Sequence, residues 1–334
     1  MYEYASKIKS LTKEIANYRL FLYHVFHYLN IFLPSWISKY VAKKDYRDIV
    51  GKVQGELFIR DKNGCFQLVH PDMALYGKNL CLMATPYPYA MEEYENPCFF
   101  YGNDINHLLP FLVPIDCQSK HLQGVHLSDP CIVNVDDIIY CFYRETIKSH
   151  NKILLKKYVI EVDCAKQKGN RQIIIESDKD LLLSPAFLYD KDCWRCYYVN
   201  NEKQSSQLIL KMFQLVDFLC IKTKEIRIMN EPGGYCLWHI GVTYKVDKEK
   251  QYRNSDKLCG LFLYKHKTMN GTFKLFYSES TGREADWQII NEIHIPTDIL
   301  NEMKFPYKSC FNPQNGKIIL SFRDKKQRNR LVEL

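Results

Sequence analysis

The residues best equipped for chemistry recur at wide and nearly regular intervals. Asp72, in His70-Pro71-Asp72, is followed 57 positions later by Asp129, in Ser128-Asp129-Pro130. Ser184 lies 55 further on, His239 another 55, and Ser309 a final 70. Each stands near the start of a strand-like run. Brought together, they would offer two carboxylates, an imidazole and two hydroxyls. Two carboxylates facing across a pocket are the equipment of glycoside cleavage. One attacks carbon or activates water, and the other protonates the leaving oxygen or tunes its neighbour. Asp72 and Asp129 are therefore the candidate catalytic pair. His70, Tyr87, Arg144, Ser184, Trp238, His239, Tyr307 and Ser309 are the candidate substrate-binding residues, the aromatics because their faces stack on sugar rings. Plainer alternatives stand beside these. An Asp next to Pro caps a turn, His239 lines a channel through hydrogen bonds alone, Tyr87-Pro88-Tyr89 is a rigid turn, and Arg144 pairs with Glu145 on the surface.

Residues so far apart meet only if the chain repeats. It does so five times. Residues 70–76 and 79–85 form a strand, a tight turn and a second strand. The pattern returns at 126–144, at 183–199, at 238–264 around a charged loop, and at 307–323. Further strand-like runs follow each unit, such as Pro97–Tyr101, Ile153–Ile160 and Leu208–Phe213. Four strands in about 55 residues, five times over, predict a five-bladed β-propeller. One four-stranded sheet cannot bury both faces alone, so blades stack around an axis and leave only short edges. The last unit lacks a strand, which the run at 56–60 can supply. The predicted class is all-β, a propeller over 49–334 behind an N-terminal helical segment over 1–48. A pair of packed β-sandwiches is the structural alternative.

In that N-terminal segment Ile8, Leu11, Ile15, Tyr18, Leu22, Val25, Leu29 and Phe32 form one apolar seam at helical spacing, and Pro34 ends it. Three uses remain open: packing on its own domain, self-association, or peripheral contact with a membrane, for which Trp36, Lys39, Lys43 and Lys44 are suited. The composition, 46% hydrophobic and 14% aromatic, is that of a folded protein. The net charge of +8 balances 46 basic against 38 acidic residues, too mild an excess for a nucleic-acid partner. Thirteen cysteines show no framework. Cys81, Cys131, Cys141 and Cys220 fall in apolar strand patterns and read as buried reduced thiols. Cys193-Trp194-Arg195-Cys196 has no second pair at zinc spacing. With no secretory signal evident, these thiols predict a cytoplasmic protein, membrane-associated if the helix docks. P-loop, dinucleotide, HExxH and GxSxG motifs are missing from the sequence. No cofactor and no metal are expected; the expected partner is carbohydrate.

His70-Pro71-Asp72, Ser128-Asp129-Pro130 and the strand–turn–aromatic pattern resemble the five-bladed propellers of glycoside hydrolase families 43 and 32 and their furanosidase-like relatives. The run Glu95–Asp104 is similar to those families as well. Ser280-Thr281-Gly282-Arg283-Glu284-Ala285-Asp286-Trp287 resembles their repeated S-x-D-G-x-x-W element, which ends an outer strand. The resemblance spans about residues 50–330. It implies a first-blade Asp as base or nucleophile, at Asp72, a second-blade Asp as tuner, at Asp129, and a Glu acid from a later blade. Ser184 stands where that Glu is sought, and Glu145, Glu176 and Glu231 have no motif behind them. Loss of a general acid costs roughly two to four orders of magnitude in rate. The resemblance thus implies a glycoside hydrolase-like protein acting on a glycosidic bond of a surface polysaccharide or oligosaccharide. The alternatives are a non-catalytic glycan-binding or scaffold propeller in polysaccharide biosynthesis, and a transferase or phosphorylase using the same pocket.

Overall fold

The computed structural model describes residues 53–61, 66–87, 95–110, 125–161, 164–202, 205–245, 257–280 and 282–334. The helical seam, Tyr89 and the charged loop of the fourth unit lie outside these residues. No helix among the described residues is long and apolar enough to cross a membrane.

Short aromatic-rich and β-branched runs, punctuated by Gly, Asn and Asp turns, fold as antiparallel strands. After β1 (Glu56–Leu57), blade one contains β2 (Leu68–Tyr76), β3 (Asn79–Pro86), β4 (Cys98–Gly102) and β5 (Leu109–Pro110). Blade two contains β6 (Val125–Val135), β7 (Ile138–Ile147), β8 (His150–Glu161), β9 (Cys164–Gln167) and β10 (Gln172–Ser177). Blade three is β11 (Leu183–Tyr189), β12 (Trp194–Glu202), β13 (Ser205–Phe213) and β14 (Cys220–Ile226). Blade four holds β15 (Ile228–Met229), β16 (Tyr235–Tyr244), β17 (Leu258–His266), β18 (Phe273–Ser280) and β19 (Trp287–Glu292). After the short helix α1 (Thr297–Glu302), blade five is β20 (Met303–Pro306), β21 (Cys310–Phe311), β22 (Ile318–Asp324) and β23 (Asn329–Glu333).

The inner strands form a closed ring. β2 packs on β6, β6 on β11, β11 on β16, β16 on β21, and β2 again on β21 and β22. The missing strand of blade five is β1, paired with β23 through Glu56↔Val332 and Leu57↔Leu331, as the repeat requires. The closure is tight. Gly55, at φ +74, leaves room where a Cβ would strike the Glu333 carbonyl. Gly241 likewise lets β16 approach the Ser309 carbonyl.

The core lies between the blades. One apolar cluster separates blades one and two around Met83, Phe99, Ile139 and Tyr143. Others separate two from three around Phe142, Phe187 and Trp194, and three from four around Tyr197, Phe262 and Trp287. The last two separate four from five, and five from one. Trp287, from the S-x-D-G-x-x-W-like run, is fully buried against Tyr197 and Phe262. Every sheet therefore buries both faces, which no blade could do by itself.

The cysteines recorded in the structure are free thiols, with Cys81, Cys131 and Cys141 buried as expected. Cys220 is exposed, contrary to its apolar pattern. It starts β14, the outermost strand of blade three, where the flanking Leu219 and Ile221 are exposed too.

Candidate functional site

Four of the five inner strands break register at the same height. Bulges interrupt β2 between Val69 and Asp72, β6 between Ser128 and Cys131, β11 between Leu183 and Ala186, and β16 between Leu237 and His239. At the first three the chain enters the left-handed region, with φ of 52° at His70, 49° at Asp129 and 49° at Ser184. Non-glycine residues rarely hold such angles, and bulges that do so re-aim a side chain. All three precede a proline: Pro71, Pro130 and Pro185. This shared dipeptide sets the true register of the ring. The blade-one counterpart of Asp129 is His70, two residues before Asp72.

The ring closes into one buried cluster. His70 Nε2 lies 3.7 Å from Asp129 Oδ1, and His239 Nδ1 lies 3.9 Å from the same oxygen. The two imidazole rings are 5.4 Å apart. Ser184 Oγ is 2.6 Å from His239 Nδ1. Arg144 Nε reaches the other carboxylate oxygen, Asp129 Oδ2, at 3.1 Å. Arg144 also donates to Ser128 Oγ at 3.1 Å and to the Leu181 carbonyl at 3.2 Å. It is therefore an inward residue and not half of a surface pair. Glu145, its neighbour along β7, points the other way as strand alternation demands and faces Arg171.

Burial pushes the imidazoles toward neutrality. Desolvation lowers His70 to about 4 and His239 to about 3, with Asp129 opposing in both cases. Burial alone would raise Asp129. His70 and His239, once protonated at low pH, together with Arg144 and Lys308, outweigh it and hold the carboxyl well below the usual carboxylate range. At neutral pH the axis therefore carries one carboxylate between two neutral histidines.

Asp72 has different work. Its Oδ2 accepts from the Ile132 N–H at 2.9 Å and lies 3.8 Å from Lys308 Nζ. Lys308 is wholly buried and donates to the Pro130 carbonyl at 2.6 Å. Burial would lower this lysine; Asp72, Cys131 and Asp129 outweigh that and raise it, so it stays charged. Asp72 thus joins blades one, two and five beside the ring, two residues out of the register expected for it. Ser309 is buried in blade five with its hydroxyl unpartnered.

Around this cluster lie the aromatics. Tyr307 packs edge-on against His70 at 5.2 Å between ring centres, and Tyr87 against Tyr307 at 6.1 Å. Trp238 lies 5.5 Å from His239 and 6.3 Å from Phe305, which is itself 5.3 Å from Tyr307. Arg323 faces Tyr87, Phe305 and Tyr307 at 5.7–5.9 Å, a cation–π arrangement, and donates to the Tyr307 hydroxyl from Nε at 2.9 Å. Burial raises Tyr307 to about 12 against the opposing Arg323, so its hydroxyl keeps its proton. Tyr87, Trp238, Phe305 and Arg323 are only half-buried, which makes them the accessible side of the cluster.

The structure therefore brings together His70, Tyr87, Asp129, Arg144, Ser184, Trp238, His239 and Tyr307. It adds Lys308, Phe305 and Arg323, which the sequence reading missed. Arg323 had a signal: it stands toward the end of the second strand of its blade, as Arg144 does in blade two. The three glutamates considered as acids are engaged elsewhere. Glu145 faces Arg171, Glu176 pairs with His150 and Lys152 at the edge strand β10, and the exposed Glu231 accepts from Tyr264. Glu95 is the carboxylate found beside the aromatics. It is buried, lies 3.9 Å from His126, and is near enough to Tyr307 to raise its proton affinity.

No family model and no curated protein matches the chain. Solved structures do. A family 43 β-xylosidase/α-arabinofuranosidase from a compost microbial metagenome, bound to xylotriose in a calcium-free form, matches with TM-score 0.54 and 11% identity, covering 80% of this chain and 90% of that one. A family 43 endo-arabinanase from Bacillus licheniformis matches at 0.54 and 12%, covering 83% and 96%. The native arabinanase of Bacillus subtilis matches at 0.51 and 14%, covering 80% and 94%. The chain has the fold of these glycosidases. At such identities the likeness speaks for the five-bladed architecture, and function has to be argued from the site.

Proposed function

We propose that this propeller binds a carbohydrate at the mouth of its central channel and does not hydrolyse it by the two-carboxylate route. The observation that carries this reading is the half-buried group of Tyr87, Trp238, Phe305 and Arg323 set over His70, His239 and Tyr307. Flat aromatic faces take the apolar face of a sugar ring, and a guanidinium with buried hydroxyl and imidazole groups reads its hydroxyls. Against hydrolysis stand two substitutions at the axis. His70 holds the first-blade position in the ring, and Ser184 holds the place where a third-blade acid is sought. A neutral imidazole and a hydroxyl do not reproduce a pair of carboxylates that share acid and base roles. The solved propellers named above act on, or hold, xylose- and arabinose-containing glycans by their own descriptions, so pentose oligosaccharides are the first to screen.

A glycan array with the full chain, followed by titration of the best ligand, tests this. Binding that falls at least about tenfold in Trp238→Ala and Arg323→Met supports the reading. Binding that survives both variants unchanged, or no binding to any glycan, overturns it. Bond cleavage is the second reading, favoured by Glu95 beside Tyr307. It predicts turnover of the array ligand that is lost in Glu95→Gln while the ligand still binds.

A further inference from the structure

Arginines inside this protein come with carboxylates. Arg144 meets Asp129, Arg195 meets Asp190, Arg328 meets Asp324, and Arg330 meets Glu56. Arg323 departs from this pattern. It is half-buried, and its Nε and Nη2 donate to one neutral acceptor, the Tyr307 hydroxyl, at 2.9 and 2.5 Å. Its other neighbours are the faces of Tyr87, Phe305 and Tyr307 at 5.7–5.9 Å. Lys265, half-buried on β17, is placed in the same way, with Nζ 5.0 Å from the centre of the Trp238 ring. Among the described residues, no carboxylate lies within 4.0 Å of either cation. A charge half out of water loses hydration, and aromatic faces return only part of that loss. Both cations therefore have attraction to spare for an anion.

We propose that the sugar taken up at this mouth carries an anionic group, a carboxylate or a sulfate, which pairs with Arg323 and is drawn in by Lys265. The inference rests on the sugar reading and narrows it to acidic glycans. The two cations stand at opposite ends of one aromatic row. Lys265 lies over Trp238, Trp238 is 6.3 Å from Phe305, and Phe305 is 5.3 Å from Tyr307, where Arg323 is held. A ring laid on this row has a positive charge at either end. A guanidinium stacked on aromatic planes keeps an N–H edge free for two-point recognition of an oxyanion, which a neutral sugar cannot supply. The axis below does not cancel this field. Asp129 is matched by Arg144, Asp72 lies 3.8 Å from Lys308, and the buried histidines are neutral. Glu95 is the carboxylate near Tyr307, and it lies against His126 at 3.9 Å. Two cations thus face one carboxylate at the mouth, a balance that favours an acidic guest.

The test titrates the full chain by calorimetry with matched oligosaccharides. Oligogalacturonates are set against their carboxyl-reduced forms, and sulfated xylo-oligosaccharides against the unsulfated parents. At low salt, at least one anionic member should bind about tenfold or more tighter than its neutral partner, and the pair that does so names the anion. The advantage should shrink as salt is raised to about 0.5 M. Arg323→Met should abolish it, and Lys265→Met should reduce it about threefold. Lys166→Met removes the same charge from an exposed ion pair with Glu161 on blade two and should leave it unchanged. Neutral members that bind as tightly as their anionic partners overturn the proposal; if Trp238→Ala still weakens them, the sugar reading stands without it. No binding by any member overturns both. Should Arg323→Met fail to fold, the wild type decides: a preference for the anion that fades with salt upholds the proposal, and one that salt leaves untouched rejects it.

Discussion

Two buried charged clusters in this molecule look alike in composition and differ in how their hydrogen bonds are used. At the closing seam, Arg330 is forked onto Glu56 of β1, with Nε 2.5 Å from Oε1. Arg328 is forked onto Asp324 at 2.9 and 2.8 Å, and the Asp324 carboxylate also accepts from the Arg328 and Lys326 N–H groups. Nearly every atom has a partner, and the cluster joins the first strand to the last. At the axis, Asp129 sits between two histidines with both oxygens outside any hydrogen bond. A saturated cluster acts as a fastener. An unsaturated one, kept in place by strained backbone at His70, Asp129 and Ser184, is a site.

The contrast can be broken first at the seam. Arg330→Ala leaves Glu56 buried without its partner and is expected to cost about 3–5 kcal/mol in urea unfolding. Replacing Glu56 and Arg330 together by apolar residues of similar volume should recover most of that loss. A double variant as unstable as Arg330→Ala would mean that the loss comes from the missing contact across the seam and not from the Glu56 charge left buried.

The axis answers to pH instead. His70 at about 4 and His239 at about 3 lie below the ordinary 6.5 because burial disfavours their charged forms. As pH falls below about 6.5, the unfolded chain takes up protons that the folded chain refuses until near pH 4 and below. The protein should therefore lose stability over that window, by about 1.4 kcal/mol per pH unit for each histidine. The His70→Gln/His239→Gln variant should show a shallower slope between pH 6 and 4. An equal slope would place the titration elsewhere.

At the mouth the effects are smaller. Trp238→Ala should weaken sugar binding by about 1.4–3 kcal/mol, read by isothermal titration, with no more than a slight change in melting. The least change is expected from Ser309→Ala. Its hydroxyl has no partner, so stability should shift by under about 0.5 kcal/mol, whereas Ser321→Ala should cost about 1 kcal/mol. The Ser321 hydroxyl donates to the Lys308 carbonyl at 2.9 Å and accepts from the His70 N–H at 3.3 Å. Equal melting of these two serine variants would remove the distinction between satisfied and unsatisfied groups.

Much of this was written in local patterns. The five repeats, the blade boundaries and the closing strand all follow from strand signals spaced about 55 residues apart. So does the meeting of Asp129, Ser184 and His239, which propeller symmetry makes neighbours. The height of each residue on the ring was harder. Aligning Asp72 with Asp129 by residue type placed it two positions off, because a bulge adds residues that strand alternation cannot count. The proline after His70, Asp129 and Ser184 was the better guide, since it marks the bulge itself. Arg144 turned inward because neighbours on a strand face opposite sides, so Arg144-Glu145 could not both lie on the surface. Lys308 gave no sign of its burial: only the convergence of Asp72 and the Pro130 carbonyl from other blades explains a charged amine there.

The most direct test is a crystal structure of the chain with its best glycan ligand. A sugar ring stacked on the Trp238, Tyr87 and Tyr307 group, above His70 and within reach of Arg323, is the predicted result. A glycan bound on the outer strands of the blades, with the channel mouth left to solvent, would contradict it.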